Sequence, residues 1–203
     1  MRARRTAGLE HVRERVAVGR FTLLVERPSR PDELLDEEAF AQDEYLPYWA
    51  ELWPSAVSLA RDVAARELRG ARALELGCGL GLPSLAAARA GARAIASDWS
   101  EDALAATRRN ARLNGLHLRT LRCSWADPEP LLRPAPFDLV LASDVLYERR
   151  NVEPLLELLP QLGGEALLAD PGRPALAEFL SRAADAFALE GRGTVYRLRR
   201  RTG

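Results

Sequence analysis

Glycines and carboxylates stand here at spacings that suit ligand chemistry. Residues 74–81 read LELGCGLG, with Gly77, Gly79 and Gly81 alternating with Cys78 and Leu80 behind Glu75. Glycines so placed permit a tight turn and let a ligand approach backbone amides closely. Asp98 follows Gly77 by 21 residues, near the interval of about 20 at which an acidic side chain meets the ribose hydroxyls of a nucleoside. Further on, Ser143-Asp144-Val-Leu-Tyr147 sets a carboxylate three residues before a phenol, a pair that could seat a cation. Upstream, YLPYWAELWPSA holds Trp49 and Trp53 four residues apart, and a core, a membrane belt or a binding site could each use two indoles.

The elements around these residues alternate. ARALEL, RAIAS, HLRTLRC, FDLVLAS and EALLAD read as strands, the last two apolar enough to be covered on both faces. Helices are expected from Pro54 to about Leu68, from the glycine turn to about Arg89, from the N-cap Ser100 to Asn114-Gly115, and over residues 174–184. AFALE and TVYRLR, split by Gly191-Arg192-Gly193, read as a closing hairpin. The fold class is therefore α/β, a Rossmann-like, doubly wound, mainly parallel seven-stranded sheet with a C-terminal antiparallel hairpin. Residues 16–25 give one or two short strands, followed by the acidic, proline-punctuated ERPSRPDELLDEEAFAQDEY. One domain, 1–203, is expected, with 1–54 as an N-terminal β/helix appendage and lid, and 55–203 as the core.

Composition narrows the partners. The chain has 29 basic and 29 acidic side chains and a formal net charge of zero, so no global field draws it to nucleic acid or anionic lipid. Every basic residue is arginine, which excludes a lysine nucleophile, a Schiff base and a P-loop lysine. Cys78, Cys123, His11 and His117 show no metal-ligand spacing, and two cysteines fit a reducing cytoplasm. The basic N-terminus lacks the apolar core of a signal peptide, and no apolar run approaches the roughly 18 residues of a membrane span. A cytoplasmic protein without a membrane partner is expected. The terminal arginines, Arg197 and Arg199 to Arg201, read as a solvated edge or a dock for an acidic partner.

The glycine pattern bears on which nucleoside binds. A dinucleotide fingerprint wants a third small residue at position 82, but Leu82 stands there and the pattern is ExGxGxG. S-adenosylmethionine has no pyrophosphate to cradle, and its aminoacyl end would lie near the turn with Glu75 nearby.

Glu75 to Gly81, Asp98-Trp99, Trp125 with Asp127, and Ser143-Asp144 together resemble the motifs of class I S-adenosylmethionine-dependent methyltransferases, in their order and across residues 72–170. WAELWPSAVSLA and Asp144-Val-Leu-Tyr147 resemble the seven-strand protein lysine methyltransferases with a DxxY signature. The WxxxWP stretch and Asp170 to Pro174 are similar to the branch that includes the electron transfer flavoprotein β-subunit enzyme and its bacterial relatives. The resemblance implies that Gly77, Cys78, Gly79 and Gly81 contact the methionine moiety, with Trp53, Glu75 and Trp99 on the cofactor side. It implies Asp98 on the ribose, Trp125 and Asp127 on the adenine, and Ser143 beside the sulfonium. Trp49 is expected on the substrate side, and replacing Trp53 is expected to weaken cofactor binding more than replacing Trp49.

Asp144 and Tyr147 are the expected catalytic pair. The acceptor in an in-line displacement must be a neutral amine aimed at the methyl carbon. Deprotonating a free lysine at pH 7 costs about 4.6 kcal/mol from its pKa of ~10.4. A carboxylate can anchor the incoming ammonium while a desolvated aromatic rim lowers its pKa. A protein lysine is the favoured acceptor. A small-molecule amine, an NAD(P)-binding oxidoreductase and a non-catalytic cofactor-binding module are the other readings. SDVLY does not match the NPPY-like tetrapeptide of base methylation, which disfavours a nucleic-acid partner.

Overall fold

The computed structural model describes residues 10–34 and 48–201. The first nine residues and 35–47, most of the acidic segment, lie outside the described residues, as do 202 and 203.

Seven strands form one sheet: β3 (Arg72–Leu76), β4 (Arg93–Asp98), β5 (Arg119–Arg122), β6 (Leu139–Ser143), β7 (Glu165–Ala169), β8 (Phe187–Arg192) and β9 (Val195–Arg200). Their spatial order is β5-β4-β3-β6-β7-β9-β8. The first five run parallel, and β9 enters antiparallel between β7 and β8. This is the expected doubly wound sheet with its closing hairpin. Its strands alternate between two apolar clusters with the period of two that a pleated strand imposes. Ala73, Leu139, Leu141, Leu167 and Ala169 face one cluster, while Leu74, Leu76, Val140, Ala142 and Leu168 face the other.

The first cluster lies under α1 (Pro54–Ala64), α2 (Leu82–Arg89) and α3 (Glu101–Leu113). The second lies under α4 (Glu129–Leu132), α5 (Val152–Leu162) and α6 (Pro174–Ala183). Ser100 caps α3, its hydroxyl accepting from the Ala103 amide, and Gly115 turns the chain away with φ 63°. Helix α1 stops earlier than the apolar spacing predicts, at Ala64. Leu68 instead donates its amide to the Ala90 carbonyl at the end of α2, a tertiary bond that no local pattern encodes.

The N-terminal strands are longer than expected. β1 (His11–Val18) and β2 (Phe21–Pro28) form an antiparallel hairpin. Val16, Val18, Leu23 and Val25 are buried in the first cluster, so the hairpin is part of the core on that side. The free edge of β2 meets Asn110 of α3 and Asn114, the residue that caps the end of that helix. Asn114 Oδ1 accepts the Leu24 amide at 2.9 Å and its Nδ2 donates to the Leu24 carbonyl at 2.7 Å. Asn110 Oδ1 accepts the Glu26 amide at 2.8 Å, while its Nδ2 donates to the Leu80 carbonyl at 3.1 Å. Asn110 thus ties the hairpin to the glycine turn. No helix among the described residues is long and apolar enough to cross a membrane.

Candidate functional site

β3 and β6 are neighbours in the sheet, and the chain adds strands outward from them in opposite directions. In open α/β sheets the crevice at the carboxyl ends of such strands takes ligands. A cavity of about 730 Å³ opens there, within the range of ligand pockets.

The turn after β3 forms one wall. Gly77, Gly79 and Gly81 all have positive φ, 62°, 50° and 80°, a backbone that side chains resist. All three are also crowded, Gly77 by Val145 Cγ1 at 3.3 Å from where a Cβ would be. A Cβ on Gly81 would lie 2.6 Å from Thr107 Cγ2, and one on Gly79 would lie 3.2 Å from the Trp49 carbonyl oxygen. Thr107, fully buried on α3, donates its hydroxyl to the Gly79 carbonyl at 2.9 Å and sits 3.4 Å from Cys78 Sγ. Burial, reinforced by the charges of Asp98 and Glu75, pushes the Cys78 thiol well above its ordinary pKa, so it is a neutral packing group.

Asp98 ends β4 beside this turn. Its Oδ2 accepts the Gly79 amide at 3.0 Å and its Oδ1 the Ser100 amide at 2.9 Å. Burial raises its pKa to about 6 against the opposing pull of those amides. Each carboxylate oxygen has lone pairs to spare, so hydroxyl donors in the cavity can bind the same group. The cavity volume, the bare turn and this carboxylate together fit an adenosyl amino acid.

Two expected contacts fall outside the cavity lining. Glu75 points beneath α2, where its carboxylate accepts the Ser84 amide at 2.9 Å. Burial raises its pKa to about 8, so at neutral pH it is a mostly protonated prop for the start of α2. Asp127 is exposed and pairs through its backbone with Ser124 in a tight turn. The other sequence candidates, Trp49, Trp53, Gly77, Cys78, Gly79, Gly81, Asp98, Trp99, Trp125, Ser143, Asp144 and Tyr147, all line the cavity.

At the far wall the chain leaves β6 through Asp144. It has φ 58°, a conformation that Asp tolerates better than most residues. The Asp144 amide donates to the Ala169 carbonyl at 2.9 Å, extending the pairing with β7 by one residue before the turn. Asn151 Nδ2 then donates to the Val145 carbonyl at 2.9 Å, which fixes the loop carrying Tyr147. The Asp144 carboxylate is nine-tenths buried, and burial raises its pKa while Arg173 opposes the rise. Arg173 Nη1 donates to Asp144 Oδ1 at 2.5 Å and to Asp170 Oδ2 at 3.1 Å.

An aromatic ring meets this group and leads to two others in the cavity lining. The Arg173 guanidinium lies 5.8 Å from the Trp53 ring centre. Trp53 Nε1 donates to the Tyr48 carbonyl at 2.9 Å, and the Tyr48 ring centre is 5.2 Å from that of Tyr147. Trp49 meets the glycine turn through its backbone, whereas Trp53 meets the Asp144 end. Tyr48, Thr107 and Arg173 are the site residues that sequence reasoning missed. Tyr48 lies inside the quoted tryptophan stretch and Arg173 inside the segment Asp170 to Pro174, so both had a signal, whereas Thr107 had none. Among the described residues no group of His, Cys, Asp or Glu could hold a metal ion.

Known proteins share this fold. The 16S rRNA N2 G1207 methyltransferase of T. Thermophilus, solved with AdoMet and guanosine, superposes with a TM-score of 0.70 at 15% identity, over 99% of this chain and 53% of that one. Magnesium protoporphyrin IX methyltransferase of Synechocystis, solved with bound SAM, gives 0.59 at 18%, over 82% and 98%. At such identities the likeness is one of fold. In sequence, the Homo sapiens histone-arginine methyltransferase METTL23 is 39% identical over 52% of this chain and 58% of its own length. The electron transfer flavoprotein beta subunit lysine methyltransferase of Rattus norvegicus is 33% identical over 63% and 52%. The chain thus spans about half the length of the curated relatives it matches. A family model described as lysine methyltransferase matches residues 40–168, which takes in the tryptophan stretch, the glycine turn, Asp98 and the Asp144 corner, and the chain belongs to that family.

Proposed function

We propose that this protein is an S-adenosylmethionine-dependent N-methyltransferase whose acceptor is a lysine side chain of another protein. The observation that carries the reading is Asp144, which lines the same cavity as the glycine turn, Asp98, Trp53 and Tyr147. S-adenosylmethionine, when bound, supplies a methyl group on a sulfonium centre. The chain's own residues bind, orient and desolvate.

In this reading the bare backbone of the Gly77 to Gly81 turn lies against the aminoacyl portion, Asp98 accepts from the ribose hydroxyls, and Trp99 and Trp125 flank the adenine. Ser143, where β6 ends, lies between the two halves. Asp144 receives the acceptor's ammonium and holds the nitrogen in line once its proton has left to water; positioning is the main contribution such a site makes. Tyr48, Trp53 and Tyr147 exclude water around it, which favours the neutral amine that must attack. Burial also raises the Tyr147 phenol, so it stays neutral. Because the Trp53 ring lies at the Asp144 end and the Trp49 backbone at the glycine turn, the roles expected for the two tryptophans are exchanged here: Trp53 walls the acceptor and Trp49 the cofactor.

Incubation with labelled S-adenosylmethionine and a proteome extract, followed by mass spectrometry, tests the reading. Labelled lysine in a defined protein is the expected result, and the absence of lysine in the chain itself removes automethylation of lysine from the signal. Asp144→Ala should bind S-adenosylhomocysteine as the wild type does and lose transfer. Full turnover by that variant would refute the role given to Asp144.

A further inference from the structure

The far wall of the cavity already holds a cation. Arg173 Nη1 sits on Asp144 at 2.5 Å, and its guanidinium lies 5.8 Å from the Trp53 ring centre, the setting that an incoming cationic side chain would take in the reading above. Three further observations describe this occupant. First, it has a second anchor: Asp170, 1% exposed, accepts the same nitrogen at 3.1 Å through Oδ2. Asp170 is itself fixed, since its Oδ1 accepts the Gly172 and Arg173 amides at 2.8 and 2.7 Å. Second, the same two bonds hold the backbone of Gly172 and Arg173, so what can move is the Arg173 side chain, which is about one-fifth exposed. Third, two carboxylates share one guanidinium, which leaves this trio with one negative charge, room for one more cation. Asp144, by contrast, stands at a corner pinned by the hydrogen bond from its backbone N–H to the Ala169 carbonyl.

We propose that Arg173 is an internal stand-in for the methyl acceptor. In the resting protein it fills the seat on Asp144 and the Trp53 face, and an incoming cation takes that seat only by shifting the guanidinium onto Asp170 alone. Arg173 is then a specificity-determining residue. A free amine offers nothing beyond its charge and fails to displace a tethered guanidinium of the same charge. A cationic side chain borne on a protein segment that also binds the exposed rim succeeds. The proposal rests on the methyltransferase reading for the identity of the seat, but its test reads binding and not transfer.

The test uses n-butylammonium, a lysine side chain without its backbone, which is cationic at neutral pH. Its binding to the S-adenosylhomocysteine-loaded protein is followed by calorimetry and by intrinsic fluorescence, since all four tryptophans line the cavity. Arg173→Ala should bind the probe at least tenfold more tightly than wild type. Added guanidinium ion should compete in that variant, and Asp144→Asn in the same background should abolish the gain. Arg173→Met, which keeps bulk without charge, should behave as Arg173→Ala does, and a melting temperature with S-adenosylhomocysteine identifies whichever variant is folded. Equal probe affinity in wild type and a folded Arg173 variant overturns the proposal. So does a gain that survives Asp144→Asn. Failure of the lysine reading would show separately, as no labelled lysine in the extract experiment with wild-type protein.

Discussion

Asp98 should make cofactor binding pH-dependent, with a magnitude set by its burial. Its pKa rises from 3.8 to about 6, so holding it ionised at pH 7 costs the cofactor-free fold about 3 kcal/mol. The sign follows from the raised value. The stability this carboxyl contributes is fully present below about pH 3.8 and is lost as pH rises through about 6. Ribose hydroxyls that donate to the carboxylate require the ionised form. S-adenosylhomocysteine affinity should therefore rise about fivefold between pH 5 and 6, about twofold more by pH 7, and level off above that. Glu75, with its pKa near 8, remains protonated through that window and adds no slope. In Asp98→Asn the slope should vanish. Affinity at pH 7 should fall by about 2 kcal/mol, roughly thirtyfold, for the lost charge-assisted bonds. Calorimetric titrations between pH 5 and 8 at fixed ionic strength measure both quantities. A wild-type affinity that is flat across this range, or an Asn variant with the wild-type slope, would refute the reasoning.

Gly81→Ala forces a left-handed alanine and sets its Cβ 2.6 Å from Thr107 Cγ2. The conformation costs about 1–2 kcal/mol and the displaced Thr107 bond about 1 more, so melting should fall by about 4–12 °C in calorimetry. Asn110→Ala strands the Glu26 amide and the Leu80 carbonyl. It should cost about 2–4 kcal/mol, and hydrogen exchange should show β2 and the glycine turn loosening together, whereas independent loosening would deny the link. Trp53→Ala should lower methyl transfer far more than S-adenosylhomocysteine affinity, and Trp49→Ala should do the reverse. The opposite order would restore the assignment expected from sequence.

The parallel sheet was legible because β6 and β7 are short apolar runs, which only strands buried on both faces require, and because the glycine turn and Asp98 mark consecutive strand ends. The Asp144 corner was legible for the same reason: chemistry at a strand end falls within a few residues of chain. What escaped depends on contacts far apart in sequence. The Arg173–Asp144 pair spans 29 residues, and Thr107 reads as one more small residue on the buried face of α3. The hairpin looked like an appendage because its partners, Asn110 and Asn114, are polar residues of a helix and its cap, and polar residues there ordinarily signal solvent. Glu75 was legible as a motif but not in its surroundings. Strand alternation turns it beneath α2, where it holds the Ser84 amide and stays outside the lining of the cavity.

The meeting of β2 with α3 has a consequence for the behaviour of the protein at high concentration. A helix advances about 6 Å in four residues and a strand about 6.6 Å in two, so asparagines one turn apart match alternate peptide groups of an extended chain. Asn110 and Asn114 therefore do for β2 what a neighbouring strand would do, and the edge they cover is closed to strand addition by another copy. Substituting both with alanine would uncover a strand edge already paired on its other side, and association into fibrous or amorphous aggregates, not simple unfolding, is the failure to expect on gentle warming.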